Sequence, residues 1–229
     1  MGSVFDVYLA KRDGPGDEAV ANLSLPAAPY EILDALERVR PDGPDDVDLA
    51  VEEYHGFSYL APYILPQPDL YGLSALAEKL SELNEYESTA FHGLVRMEAG
   101  KADGKLSVRR LLDLAYSTDC CHVVADVLNY SQLGRFYADN GFVPEVENLS
   151  DEAFELLDFE LIGRKMKSGE DGVFMERSFD EPGGYVVRHE ALKQAPPISN
   201  APPQKGTMTC FNRIGSVWGA ASQGMMPTR

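Results

Sequence analysis

"DLYGLSALAEKLSELNEYESTAFHGLVRME", Asp69 to Glu98, is where the chain changes character. Leu73, Leu76, Leu80 and Leu83 recur at helical spacing with acids on the opposite face, and Phe91, Leu94 and Val95 carry a second helix onward. A third helical pattern, "VRRLLDLAYS", follows the turn "AGKADGK". Connections this short predict antiparallel neighbours, so residues 67–117 read as a small helical bundle.

Before Pro68 the pattern is different. "VFDVYLA" (Val4 to Ala10) alternates as a strand, and "KRDGPGDEAVAN" follows as a loop. "PYEILDALERV" has Ile32, Leu33, Leu36 and Val39 at helical spacing, and Pro41, Gly43 and Pro44 stop it. "VDLAVEEY" reads as a strand, and "HGFSYLAPYILPQP" as an extended connection. Residues 1–66 therefore form a small α+β unit.

Beyond the bundle, "CCHVVADV" fits a strand or the start of a helix, and sequence does not separate them. "YSQLGRFYADNG" reads as a helix with Gly141 as C-terminal cap. "ENLSDEAFELLDFELIGRKM" (Glu147 to Met166) supplies another, N-capped by Ser150. "GVFMERSF" and "GGYVVRHEAL" read as the two arms of a closing hairpin, which makes residues 118–192 a second α+β unit. "QAPPISNAPPQKG" reads as a proline-rich linker, so residues 193–229 form a linker and tail.

The charge is unusual. The 229 residues hold 37 acids and 20 bases, a net charge of -17, and the sequence pI is near 4.5. Residues 191–229 contain Lys193, Lys205, Arg213 and Arg229 and no acid, so residues 1–190 carry a net of -21. Such a surface repels nucleic acid and anionic membrane and attracts a basic partner. No apolar run approaches the roughly 18 residues that span a bilayer. The opening "GSVFDVYLAKRD" is too short and too charged for a signal core. Three cysteines, two of them adjacent, make no disulfide framework, which predicts a cytoplasmic protein.

Motifs for chemistry fail on geometry. "GPGDEA" (Gly14 to Ala19) follows a strand, but Pro26 arrives before the helix that pyrophosphate binding needs. "GKADGK" (Gly100 to Lys105) has the wrong spacing for a phosphate loop. "DGPDDVDLAVEE" echoes a calcium loop, but Val47 stands where the sharp turn requires glycine. Cys120, Cys121 and His122 are contiguous and cannot all face one zinc, so the cysteines read as buried small residues rather than ligands. His55, His92 and His189 stand alone in sequence, and no G-x-S-x-G occurs. The sequence thus predicts no enzyme, no metal site and no cofactor.

The acids remain. Asp42, Asp45, Asp46, Asp48, Glu52 and Glu53 cluster in the first unit, and Glu78, Glu82, Glu85 and Glu87 line the second. The third holds Asp139, Glu145, Glu147, Asp151, Glu152, Glu155, Asp158 and Glu160 with no base among them. DNA shows one negative charge per roughly 1.7 Å of axis. A helix with an acid on each turn shows about one per 5.4 Å on a face. Several such helices in line imitate a phosphate track and compete for a basic DNA-binding groove.

The order of segments then resembles the ArdA family of antirestriction proteins. "FDVYLA" resembles that family's opening strand, and "VEEY" with "DLYGLSALAEKLSELNEYE" resembles its acidic segment built on "LN-LAE-L-EL". "LSDEAFELLDFELIGRKM" resembles its short acidic helix leading into "IDYEAYGRDL", with Asp158, Glu160, Gly163 and Arg164 as the matching positions. The likeness spans roughly residues 50–190. It implies an elongated string of three small domains, dimerised through the third, whose surface mimics bent DNA and blocks type I restriction–modification enzymes. On that reading the acids of Glu147 to Glu160 are phosphate mimics, and Arg164 to Lys167 serve folding or the dimer contact. Two alternatives stay open: the same strategy against a CRISPR nuclease, and an acidic adaptor for a basic mobile-element protein.

Overall fold

A computed structural model describes residues 2–12, 19–43, 46–102, 104–177 and 183–198. Its class is mixed α+β. Strand β1 (Phe5–Lys11) turns Phe5, Val7 and Leu9 inward, as the alternation predicts. It is the centre of a three-stranded antiparallel sheet, with β2 (Val20–Leu25) and β3 (Val47–Tyr54) on either side. Strand β2 begins inside the segment expected to be a loop. Ala21, Leu23 and Leu25 do alternate inward, but they are weak strand formers, and pairing with β1 decides the matter.

Helix α1 (Pro29–Val39) covers this sheet with Ile32, Ala35 and Val39. Glu31 accepts the Ala28 N–H at its start, and Arg40 in the left-handed region (φ 52°) ends it. The following connection is extended only in part. It forms a 3-10 turn at Ser58–Leu60, buries Leu60 and Ile64, and bridges to Leu106.

The three central helices fall where periodicity predicts them: α2 (Leu70–Ser81), α3 (Glu85–Ala99) and α4 (Val108–Ala115). Each has a side-chain N-cap, from Asp69, Asn84 and Ser107 respectively. Leu73, Leu76 and Leu80 are buried, and Leu83, just past the helix, is half-buried. The Ala27 N–H donates to Ser74 Oγ, tying the connection between β2 and α1 to α2.

"CCHVVADV" resolves as strand β4 (Cys121–Ala125), because its backbone pairs with β6 (Gly184–Arg188). Strand β5 (Asp171–Met175) takes the other side of β6, so the expected hairpin arms are neighbours in a second antiparallel sheet. One face of this sheet, Cys121, Met175 and Val186, joins an apolar cluster that runs unbroken from the first sheet through α2–α4. Glu98 of α3 accepts from Arg110 and lies beside Lys101 and Arg188, while Asp171 pairs with Lys101 and Arg188. Burial works to raise the Glu98 pKa, but Arg110 and Lys101 outweigh it and hold the carboxyl below its ordinary value.

The other face, with Tyr185, Phe174 and Val187, packs a second cluster with Val127, Leu133 and Tyr137 beneath helix α5 (Tyr130–Asp139). Here Glu170 accepts hydrogen bonds from both Tyr137 (2.8 and 2.9 Å) and Tyr185 (2.8 Å). The start of the proline-rich stretch is no free linker. The Lys193 N–H donates to Ser117 Oγ, the Ala195 N–H to Asp113 Oδ1, and Arg109 donates to the carbonyls of Ala195 and Pro196. Ala195 is buried there against α4. Residues 199–229 lie outside the described residues.

Candidate functional site

The stretch from Asp139 to Met166 carries the densest acid and the family-like motif, and it folds differently from one capped helix. After α5, Pro144–Val146 make a 3-10 turn, and Ser150 caps a helix α6 of only four residues (Asp151–Phe154). A separate helix α7 (Phe159–Ser168) then starts, because the Asp158 carboxylate accepts the Leu161 N–H at 2.9 Å. An aspartate that hydrogen-bonds the backbone three residues ahead favours a new N-cap over continuation. Arg135 of α5 holds the break in place. Its guanidinium donates two hydrogen bonds to Glu155 (3.0 and 2.8 Å), pairs with Asp139 at 3.4 Å, and lies over the rings of Phe154 and Phe159.

Each family-motif position has a structural task. Asp158 caps α7, and Glu160 pairs with Arg164 one turn on at 2.7 Å. The Arg164 guanidinium also lies 4.5 Å from the Tyr130 ring. Gly163 meets Gly134 where α7 crosses α5. A Cβ at Gly134 would lie 2.7 Å from Gly163 N, and one at Gly163 would lie 2.9 Å from Gly134 N. Of the basic run, Arg164 and Lys165 reach acids, the latter Glu145 at 3.9 Å.

The other expected phosphate mimics divide in two. Lys11 pairs with Asp42 (2.7 Å) and Asp46 (3.6 Å), Arg12 with Asp48 (2.9 Å), and Lys79 with Glu82 (3.3 Å). Glu87 accepts the Asn84 N–H as a capping box. For these, and for Asp139, Glu145, Glu155, Asp158 and Glu160, a local structural partner accounts for the charge. Glu52, Glu78, Glu85, Glu147, Asp151 and Glu152 are exposed, and their carboxylates have no partner among the described residues. Asp45 lies outside the described residues. The same stretch of chain also exposes apolar side chains: Phe142, Leu149, Leu156 and Leu161, with Leu156 86% exposed.

Histidines that stand alone in sequence are brought to partners by the fold. His55 Nε2 lies 2.7 Å from Asp6 Oδ2 and 3.6 Å from Glu53 Oε2. The Asp6 hydrogen bond raises the His55 pKa, and reciprocally holds the Asp6 carboxyl below its usual range. The ligand atoms of Asp6, Glu53 and His55 all lie within 4.8 Å of one another. No linear spacing announces this group, because it depends on β1 and β3 pairing in one register. His92 stacks on Tyr59 and His122 on His189. Cys120 and Cys121 are buried free thiols, as expected, and burial pushes the Cys121 thiol up to about 12.

What this arrangement offers chemically is a set of solvent-facing carboxylates with no partner among the described residues: Glu52 on strand β3, Glu147 after a 3-10 turn, and the others on helices α2, α3 and α6. No protein-family model matches the chain. No curated protein matches it either.

Proposed function

We propose that this protein is an acidic DNA mimic that occupies the DNA-binding groove of a type I restriction–modification enzyme, in the cytoplasm of a bacterial cell. The observation that carries the reading is the set of exposed carboxylates with no partner among the described residues: Glu52, then Glu78 and Glu85, then Glu147, Asp151 and Glu152. They recur along the chain from β3 to α6. A phosphate-like array needs acids that are exposed and uncommitted, since a carboxylate already paired has less charge to offer an arginine.

The same reading includes an elongated arrangement of three small domains and a homodimer joined through the third. The exposed Leu156, just after α6, and Leu161 on α7 supply apolar surface for such a contact.

The test uses a purified type I methyltransferase complex and a labelled duplex carrying its site. Stoichiometric displacement of DNA that weakens as salt rises is the expected result, because the contact is a counterion-releasing one. Replacing Glu147, Asp151 and Glu152 with Gln should weaken displacement at least tenfold without loss of folding. No displacement by the folded protein would overturn the restriction target.

A further inference from the structure

We propose that Asp6, Glu53 and His55 form a three-ligand site for a divalent transition-metal cation of the zinc class, at the end of the first sheet. The backbone of all three residues is fixed by the sheet. Asp6 of β1 sits opposite Glu53 of β3, and the His55 N–H donates to the Val4 carbonyl at 2.9 Å. A bulge lies at this point: Asp6 pairs with Glu53, but Val7 pairs with Val51, leaving Glu52 over. Bulges re-aim side chains, and the Asp6 and Glu53 carboxylates converge here on one imidazole.

The spacing fits a first coordination shell. Metal–ligand bonds of about 2.0–2.2 Å in a tetrahedron separate the ligand atoms by roughly 3.3–3.6 Å. His55 Nε2 and Glu53 Oε2 already stand 3.6 Å apart, and Asp6 Oδ2 needs only a small outward shift from its 2.7 Å hydrogen bond. Ser3 Oγ donates to Asp6 Oδ1 at 2.9 Å, which leaves Oδ2 as the ligand oxygen and orients it.

Charge and space agree with a cation. Among the described residues no lysine or arginine pairs with Asp6, Glu52 or Glu53, whereas Lys11, Arg12, Lys79 and Arg135 neutralise acids elsewhere. Asp6, Glu52 and Glu53 open onto a surface hollow of about 270 Å³ that Asn22 and Ser24 also line, with room for a bound water. One imidazole and two carboxylates suit zinc better than calcium, which takes six to eight oxygens. Three protein ligands leave a position for water.

The test titrates zinc into the full chain, freed of metal, in a large excess of magnesium that occupies ordinary surface carboxylates. One zinc per chain is expected, with cobalt giving the visible absorption of a low-coordinate site. His55→Ala and Glu53→Gln should each lower zinc affinity at least tenfold with unchanged circular dichroism, and Glu37→Gln, at an exposed acid of α1, should leave it as it is. Zinc that magnesium displaces, an adventitious ion only, would overturn the site. So would full affinity in His55→Ala.

Discussion

Gly134 of α5 and Gly163 of α7 stand against each other where their helices cross, so closely that a Cβ on either would overlap the other helix's backbone: the Phe159 carbonyl for Gly134, the Tyr130 carbonyl for Gly163. This crossing sets the path of the acidic segment, because α6 and the Glu155–Asp158 break lead directly into α7.

Gly163→Ala therefore destabilises the protein by about 1–3 kcal/mol, as overpacking does. In an open helix the same change stabilises by roughly 0.5–1 kcal/mol, since alanine restricts the unfolded chain. The sign of the shift in urea midpoint decides between the two.

Asp158 separates capping from mimicry. Asn and Asp cap equally well, so Asp158→Asn keeps stability while Asp158→Ala loses about 1 kcal/mol. If Asp158 also acts as a phosphate mimic, the Asn variant loses inhibition at unchanged stability. Equal inhibition by Asn and wild type assigns Asp158 to the cap alone.

Glu155 is committed to Arg135, and Asp151 is not. Both partners of the Glu155 pair are about half exposed and screened by solvent, so Glu155→Gln should lower stability only slightly, but measurably more than the Asp151 change. Asp151→Asn should leave stability nearly unchanged. Thermal melts of the two variants, run side by side, check this ordering.

The His55–Asp6 pair gives a stability window. Asp6 has its pKa lowered from 3.8 by His55, so its contribution is present above about 3.8 and lost as pH falls through the lower folded value. His55 has its pKa raised from 6.5 by Asp6, so its contribution is full below about 6.5 and lost as pH rises through the higher folded value. His55→Asn should therefore destabilise at pH 5 and converge on the wild type well above neutrality, in metal-free buffer. An equal difference at pH 5 and pH 9 would refute the pairing.

Cys121, with its thiol pushed to about 12 by burial, carries almost no thiolate near pH 8. Native protein should protect Cys121 from iodoacetamide by at least tenfold relative to protein in urea, read by mass spectrometry on its peptide.

Much of this fold was legible in local pattern. The leucines of Asp69–Glu98, the α1 stripe ending at Pro41, and the alternation of Val4–Ala10 each depend on side chains near in sequence. The acid surplus and the Asp158–Glu160–Gly163–Arg164 motif were equally plain. Tertiary structure decided what depends on partners distant in the chain. It made Ala21, Leu23 and Leu25 a strand by setting them beside β1, and "CCHVVADV" a strand by pairing it with β6. It divided the acids into those answered by Arg135, Lys11 or a helix cap and those left facing solvent. It also brought His55 to Asp6 across 49 residues, which no spacing rule could foresee because a hydrogen bond acts at 2.7 Å and is blind to distance along the chain.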